Sequence, residues 1–116
     1  MNARVTPKTY PWPAGDPTKP ADLTPDASRE WDRVCRYMRR QGTLSPAYWG
    51  VVYAAASGCA AFKRMLRHVR TARITAANGK GVLRHMEAMR NTYLRAVRSL
   101  RCPPARMVLN HQPGDR

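Results

Sequence analysis

The spacing of apolar residues predicts a first helix that begins near Thr24. Apolar side chains recur there at intervals of three and four residues and form a single stripe: Ala27, Trp31, Val34, Cys35 and Met38. Thr24-Pro25-Asp26 suits a helix start, because a threonine side chain can cap the first turn and proline fits the first helical position. Gly42 is expected to end the helix, since glycine readily adopts the left-handed backbone that follows a last turn.

A second helix is predicted from Ser45-Pro46, where the same start chemistry recurs. No charged residue occurs between Gln41 and Phe62, and the segment YWGVVYAAASGCAAF is apolar around most of its circumference. Such a helix is typically covered on several sides, so we expect it to be the buried central helix of the fold.

The turn in RRQGTLSPAYW, from Arg39 to Trp49, has two interpretations. It could belong to a helix-turn-helix whose second helix enters a DNA groove, or it could be a corner between two packed helices. A recognition helix needs polar or basic side chains in its opening turns to reach base edges. Here the opening turns read PAYWGVV and the next charge is Lys63, so the sequence favours the corner.

A third helix is predicted from about Val82 to Arg101, where apolar residues again recur every three or four positions. This seam is either core against the second helix or a contact between subunits. Because so short a chain has little domain with which to bury it, we favour self-association. The predicted oligomer contact comprises Met86, Met89, Tyr93, Val97 and Leu100.

The chain as a whole is predicted to be all-α, with three main helices. Asn78-Gly79 is a common turn pair and predicts a short loop or hairpin between the second and third helices. Residues 1–22 are rich in proline and predict an extended, flexible arm, in which Tyr10-Pro11-Trp12-Pro13 docks on a partner or folds back on its own domain. Residues 23–108 form the helical domain, and residues 109–116 a flexible tail.

Charge is distributed very unevenly along the chain. The net charge is +14, but residues 1–32 carry four basic and five acidic residues, whereas residues 33–116 carry 17 basic and two acidic residues. A field of one sign attracts polyanions, so nucleic acid is favoured as partner over an anionic membrane or an acidic protein surface. We predict phosphate contacts by the basic residues of the second and third helices: Lys63, Arg64, Arg67, Arg70, Arg73, Lys80, Arg84, Arg95 and Arg98.

The sequence offers little from which to build an active site. Glu87 is the one acid between residues 33 and 114, so a carboxylate pair or a two-metal site has no second member. The histidines (His68, His85 and His111) show no metal-ligand spacing. We therefore expect a protein that is not an enzyme, with no catalytic residues, no metal and no cofactor.

Two features bear on the compartment. No uninterrupted apolar run approaches the roughly 18 residues of a membrane span, and the N-terminus lacks the apolar core of a signal peptide. The three cysteines (Cys35, Cys59 and Cys102) are odd in number and include no Cys-x-x-Cys pair. That usage suits small buried thiols in a reducing cytosol and not a disulfide framework.

The order of the short motifs resembles the small subunit of tailed-phage terminases. A Leu-x-Pro-x-Ala-x-x-x-Trp helix start follows a proline-containing arm in that family, and Leu23, Pro25, Ala27 and Trp31 match it. A Gly-x-Leu-Ser turn is matched by Gly42, Leu44 and Ser45, and a closing Leu-x-Pro-x-x-Arg step by Leu100, Pro103 or Pro104, and Arg106. The glycine that precedes this last leucine in the family is missing here, and Cys102 intrudes. The resemblance covers about residues 20–108.

This resemblance implies a role in viral genome packaging. Small terminase subunits are helical, assemble into rings, bind double-stranded viral DNA and present it to a large subunit that holds the ATPase and nuclease. By that resemblance the chain would form a ring of about eight to ten subunits in the cytoplasm of an infected bacterium. The alternatives from the residues are a small helical regulator that binds an operator as a dimer and, more weakly, a small nuclease.

Overall fold

The structure, a computed structural model, describes residues 13–72 and 78–109, without the side chains of residues 107 and 109. It contains four helices, which are α1 (Pro25–Gln41), α2 (Trp49–Ala72), α3 (Lys80–Ser99) and the short α4 (Arg106–Leu109). A 3-10 turn at Pro46–Tyr48 leads into α2. Since these residues include no strand, the prediction of an all-α fold with three main helices is confirmed for the described part of the chain.

Local capping chemistry sets both ends of α1. The Thr24 side chain accepts a hydrogen bond from the Ala27 N–H at 3.3 Å, and Pro25 occupies the first helical position. At the other end Gly42 has φ 75° and ψ 20°, and its N–H returns to the Arg39 carbonyl at 3.1 Å. This left-handed conformation favours glycine, so the predicted end of the first helix is confirmed.

The central helix α2 packs against α1 on one side and α3 on another. Ser45 is buried and caps the 3-10 turn by accepting from the Ala47 N–H at 3.1 Å, so the α-helix proper begins only at Trp49. The buried positions of α2 are Val52, Ala55, Ala56, Cys59, Ala60, Phe62 and Leu66. Its central position agrees with the sequence-based prediction.

The expectation that α2 is buried around most of its circumference is only partly correct. Trp49 and Tyr53 are 41% and 40% exposed, and Gly50 and Ala54 also face solvent. Two neighbouring helices cover only part of the surface of α2. The apolar composition of a helix does not ensure that a third helix covers the rest. One side of α2 near its N-terminus is therefore open.

Helices α2 and α3 form an antiparallel pair joined by residues 73–79. Gly58 of α2 faces Tyr93 of α3, and a Cβ placed on Gly58 would lie 3.4 Å from the Tyr93 Cβ. The predicted loop or hairpin falls largely on residues 73–77, which lie outside the described residues. After α3 the chain turns at Arg101, whose φ is 55°, and α4 returns to α3, where the Arg90 Nε donates to the Val108 carbonyl at 3.1 Å.

A buried polar network joins three parts of the fold. Glu30 of α1 is 4% exposed and receives two hydrogen bonds from Arg33, at 2.8 and 2.7 Å. The Tyr93 hydroxyl of α3 donates to Glu30 Oε2 at 2.5 Å and accepts from the Ala105 N–H at 2.7 Å. One hydroxyl thus connects α1, α3 and the segment before α4.

This network also shifts the pKa values of its members. Burial, reinforced by the hydrogen bond to Glu30, raises the pKa of Tyr93 well above its ordinary value. The hydrogen bonds to the Glu30 carboxylate raise the pKa of Arg33 and outweigh the opposing effect of burial. The phenol therefore stays protonated, and it can donate to the carboxylate over the whole physiological range.

Residues 13–22, the described part of the predicted N-terminal arm, lie in no helix or strand and contact the helical domain. Gly15 N–H donates to the Leu44 carbonyl at 3.1 Å, and the Trp49 indole N–H donates to the Thr18 carbonyl at 2.7 Å. Two ion pairs add to these contacts, Asp16 with Arg39 at 2.8 Å and Lys19 with Asp32 at 2.9 Å. Tyr10-Pro11-Trp12 lies outside the described residues.

Gly58 gives a stability test of the α2–α3 approach. The space beside it admits one methyl group at ordinary contact distance, so Gly58→Ala should be tolerated and gain up to about 1 kcal/mol from helix propensity. Gly58→Leu should force the helices apart and lower the unfolding free energy by about 2 kcal/mol or more. Urea denaturation followed by circular dichroism measures both, and an equally stable leucine variant would contradict the packing.

Tyr93→Phe tests the buried network. Loss of the hydroxyl leaves the Ala105 N–H without its acceptor and Glu30 with one donor fewer, so we expect a loss of about 1–3 kcal/mol. Tyr37→Phe, at a half-buried tyrosine of α1, serves as control and should cost about 0.5 kcal/mol or less. A Tyr93→Phe variant as stable as the wild type would contradict the network.

The network also predicts a pH dependence. Because the pKa of Tyr93 is raised by folding, the unfolded chain loses its phenol proton from about pH 10 upward while the folded chain keeps it. The contribution of the hydroxyl is complete below about pH 10 and declines as the pH rises further. The stability difference between wild type and Tyr93→Phe should therefore narrow above that pH, and a constant difference would argue against a buried, neutral phenol.

Candidate nucleic-acid interface

Residues spaced three or four apart form one line along the surface of α2. This line is apolar toward the N-terminus of the helix and basic toward its C-terminus. Val52, Ala56 and Cys59 are buried, and the same three-and-four spacing leads on to Lys63, Arg67 and Arg70. Helix α2 has 24 residues and α1 has 17, and Lys63 and Arg67 lie beside Asp26, at the N-terminal end of α1. The line therefore becomes basic at the end of α1, where Lys63 is still half-buried beside Asp26 and Arg67 and Arg70 are exposed. We call this part of α2, residues 63–72, the basic overhang.

At the base of the overhang, three cations surround one carboxylate. Asp26 accepts hydrogen bonds from Arg29 and from Arg67, the latter at 3.3 Å, and Lys63 Nζ lies 3.9 Å from Asp26 Oδ1. Burial alone would raise the pKa of Asp26, but the hydrogen bonds from Arg29 and Arg67 and the charge of Lys63 outweigh it and lower that pKa. The ionised carboxylate balances one of the three positive charges, so the cluster keeps a net charge of about +2.

The other predicted phosphate contacts on α2 are Arg64, Arg70 and Arg73. Arg64 and Arg70 are exposed on the basic overhang, and Arg73 lies outside the described residues. Arg29 was not among the predicted residues. Its pairing with Asp26 at three-residue spacing is visible in the sequence, but the approach of both to Lys63 and Arg67 depends on the packing of α1 on α2.

The basic residues of α3 form a second, separate stripe. Lys80, Arg84, Arg95 and Arg98 are all exposed. At 3.6 residues per turn they fall within an arc of about 60° on the helix surface. The buried residues Met86, Tyr93 and Val97 lie on the opposite side of α3. The stripe therefore faces away from the core, where it is accessible to a polyanion.

Most of the residues predicted as an oligomer contact lie inside the folded chain. Met86, Tyr93 and Val97 are fully buried, and Leu100 is nearly so. Side chains covered by their own chain leave no area for a second subunit, and packing against α2 accounts for their periodicity. Met89 is partly exposed, and among the residues of the predicted oligomer contact it alone has accessible surface.

The described residues contain no cluster of three His, Cys, Asp or Glu side chains that could hold a metal ion. The three cysteines are buried, and burial raises the pKa of Cys35 and of Cys59 to about 11, which keeps both thiols protonated and unreactive near neutral pH. Among the helices that the structure describes, none is long and apolar enough to cross a membrane.

Comparison with protein-family models, with curated proteins and with solved structures finds no match to this chain. The resemblance to small terminase subunits therefore rests on the motifs alone, and the feature that indicates a nucleic-acid interface is the placement of the basic residues on α2 and α3.

Asp26→Asn tests the cation cluster. Two like unit charges about 4 Å apart repel one another by about 1 kcal/mol in water, so removing the Asp26 charge beside a bound phosphate should raise affinity for a DNA duplex at least about fivefold at low salt. Asp32→Asn removes the same charge elsewhere on α1, where Asp32 pairs with Lys19, and serves as the matched control. Fluorescence anisotropy measures both variants, and an equal effect would show that the cluster has no special part in binding.

Proposed function

We propose that this chain is a non-catalytic, DNA-binding small subunit of a phage terminase, which presents viral DNA to a large subunit holding the ATPase and nuclease. The observation that carries DNA binding is the basic overhang of α2, with Arg29 and a second stripe on α3. Packaging is suggested by the order of the Leu23–Trp31, Gly42–Ser45 and Leu100–Arg106 motifs.

Phosphate contact is the mode of binding that the basic residues support. Arginine binds phosphate oxygens through a planar fork of N–H donors, and 17 of the 21 basic residues are arginine. Contacts to the backbone position a protein on DNA without reading its sequence. We expect affinity to fall steeply with salt, because each phosphate that is neutralised releases condensed counterions.

Charge reversal on α2 tests DNA binding. Arg67→Glu with Arg70→Glu places two acids on the basic overhang and should weaken duplex binding at least about 100-fold at low salt. Arg36→Glu with Arg40→Glu changes the net charge equally at exposed positions in the second half of α1, and it should have a much smaller effect. Equal losses in the two double variants would indicate a general effect of net charge and would remove the overhang from the interface.

The assembly state separates packaging from the rival function. A ring of about eight to ten subunits, measured by size-exclusion chromatography with light scattering, would support the terminase assignment. A stable dimer would favour the operator-binding regulator. Met89 and the open side of α2 around Gly50 and Ala54 are surfaces that such an assembly has available.

A further inference from the structure

Two aromatic rings on the open side of α2 are exposed and yet held in place. Trp49 and Tyr53 lie one turn apart, and their rings stack with centroids 5.1 Å apart and planes 4° apart. Trp49 also forms an edge-to-face pair with the buried Trp31, with centroids 6.3 Å apart and planes at 67°, and the Trp49 indole N–H donates to the Thr18 carbonyl at 2.7 Å. Both rings remain about 40% exposed. A ligand that stacks on them would therefore order few additional side chains.

A shallow pocket of about 200 Å³ adjoins Tyr53. Its lining includes Leu23 and Thr24 just before α1, Ala27 in the first turn of α1, and Ser57 and Ala60 from α2. Asp22 and Arg64 also line it, so the pocket combines one aromatic ring, several small or apolar side chains, one carboxylate and one guanidinium. Its volume is below the 300 Å³ or so of sites for drug-sized ligands and suits a single planar ring.

The chemistry of this lining selects an anionic ligand that carries flat, polar rings. Tyr53 offers a π-face for stacking, and a carboxylate at Asp22 can accept from an amino group on the edge of the ring. Arg64 supplies a fork of N–H donors for a phosphate elsewhere on the same ligand. Beyond it lie Lys63 and Arg67 around Asp26, so positive charge continues from the pocket onto the basic overhang.

We propose that the Trp49–Tyr53 pair and the adjoining pocket bind an unpaired base of a single-stranded nucleic acid. The base stacks on Tyr53, its phosphate lies on Arg64, and neighbouring phosphates lie on Lys63 and Arg67. An acidic peptide would satisfy the arginines, but its carboxylates would not use the stacked aromatic face. Bases within a duplex are already stacked and are not accessible to such a pocket.

This proposal goes beyond duplex binding through phosphates, and the two can fail separately. Alanine substitution of a stacking aromatic typically weakens single-strand binding by about 1–3 kcal/mol per base, so Tyr53→Ala should bind a labelled 12-nucleotide single strand about tenfold more weakly. The same variant should bind the matching duplex within about twofold of wild type, because phosphate contacts dominate there. Fluorescence anisotropy at one salt concentration measures both.

Two further variants separate stacking from simple apolar contact and from damage to the fold. Tyr53→Phe keeps the ring and should bind single strands as the wild type does. Tyr53→Leu keeps apolar bulk without a π-face and should resemble the alanine variant. Because Tyr53 is 40% exposed, each variant should retain the circular dichroism and melting transition of the wild type.

The proposal is overturned if Tyr53→Ala binds the single strand as well as wild type does, or if Tyr53→Leu does so. It is overturned as well if Tyr53→Ala weakens duplex and single-strand binding equally, or if an acidic peptide of matched charge displaces the single strand at lower concentration than an unlabelled strand. A different outcome would separate the two proposals. If the wild type does not bind a duplex but binds a single strand in a Tyr53-dependent way, the proposed function is contradicted and this site is retained.

Discussion

The buried carboxylate of Glu30 is the constraint on which the arrangement of the helices depends. A charged side chain that is removed from water must be compensated by donors at close range, or its burial costs several kcal/mol. Arg33 supplies two hydrogen bonds from the same helix, but the third comes from Tyr93 of α3. Helix α1 can therefore dock in one register only, and the Ala105 N–H on the same hydroxyl fixes the chain after α3 as well.

The register of α1 in turn decides where the positive surface begins. Helix α2 is the longer of the two, and α1 covers its apolar line only as far as Asp26 reaches. Lys63 and Arg67 follow at the same helical spacing, so a shift of α1 by one turn would either bury cations or expose Cys59. A buried hydrogen-bond network on one side of the fold thus positions the candidate interface on another.

Elements governed by local chemistry could be predicted from the sequence. The cap at Thr24, Pro25 at the first position and the left-handed Gly42 all act within a few residues, and the first helix has the predicted ends. Glu30, in contrast, reads as one of several acids near a helix start, and only tertiary packing shows that it is buried beside Tyr93. The apolar seam of α3 is a similar case. Its periodicity shows that one face of the helix is apolar, but not whether that face is covered by this chain or by a second subunit.

The exposed side of α2 could not be predicted from the sequence either. Periodicity gives the apolar arc of a helix but not the number of helices that pack against it. With α1 and α3 in place, one side of α2 carries Trp49 and Tyr53 at one end and Arg64 and Arg67 at the other. Intramolecular acids cannot balance all of this positive charge, since the whole chain holds seven acids against 21 basic residues. Like charges on the overhang repel one another in the free protein, and a polyanion relieves that repulsion when it binds. A ligand that binds only the folded chain raises its stability, so a nucleic acid that engaged the overhang would also stabilise the fold.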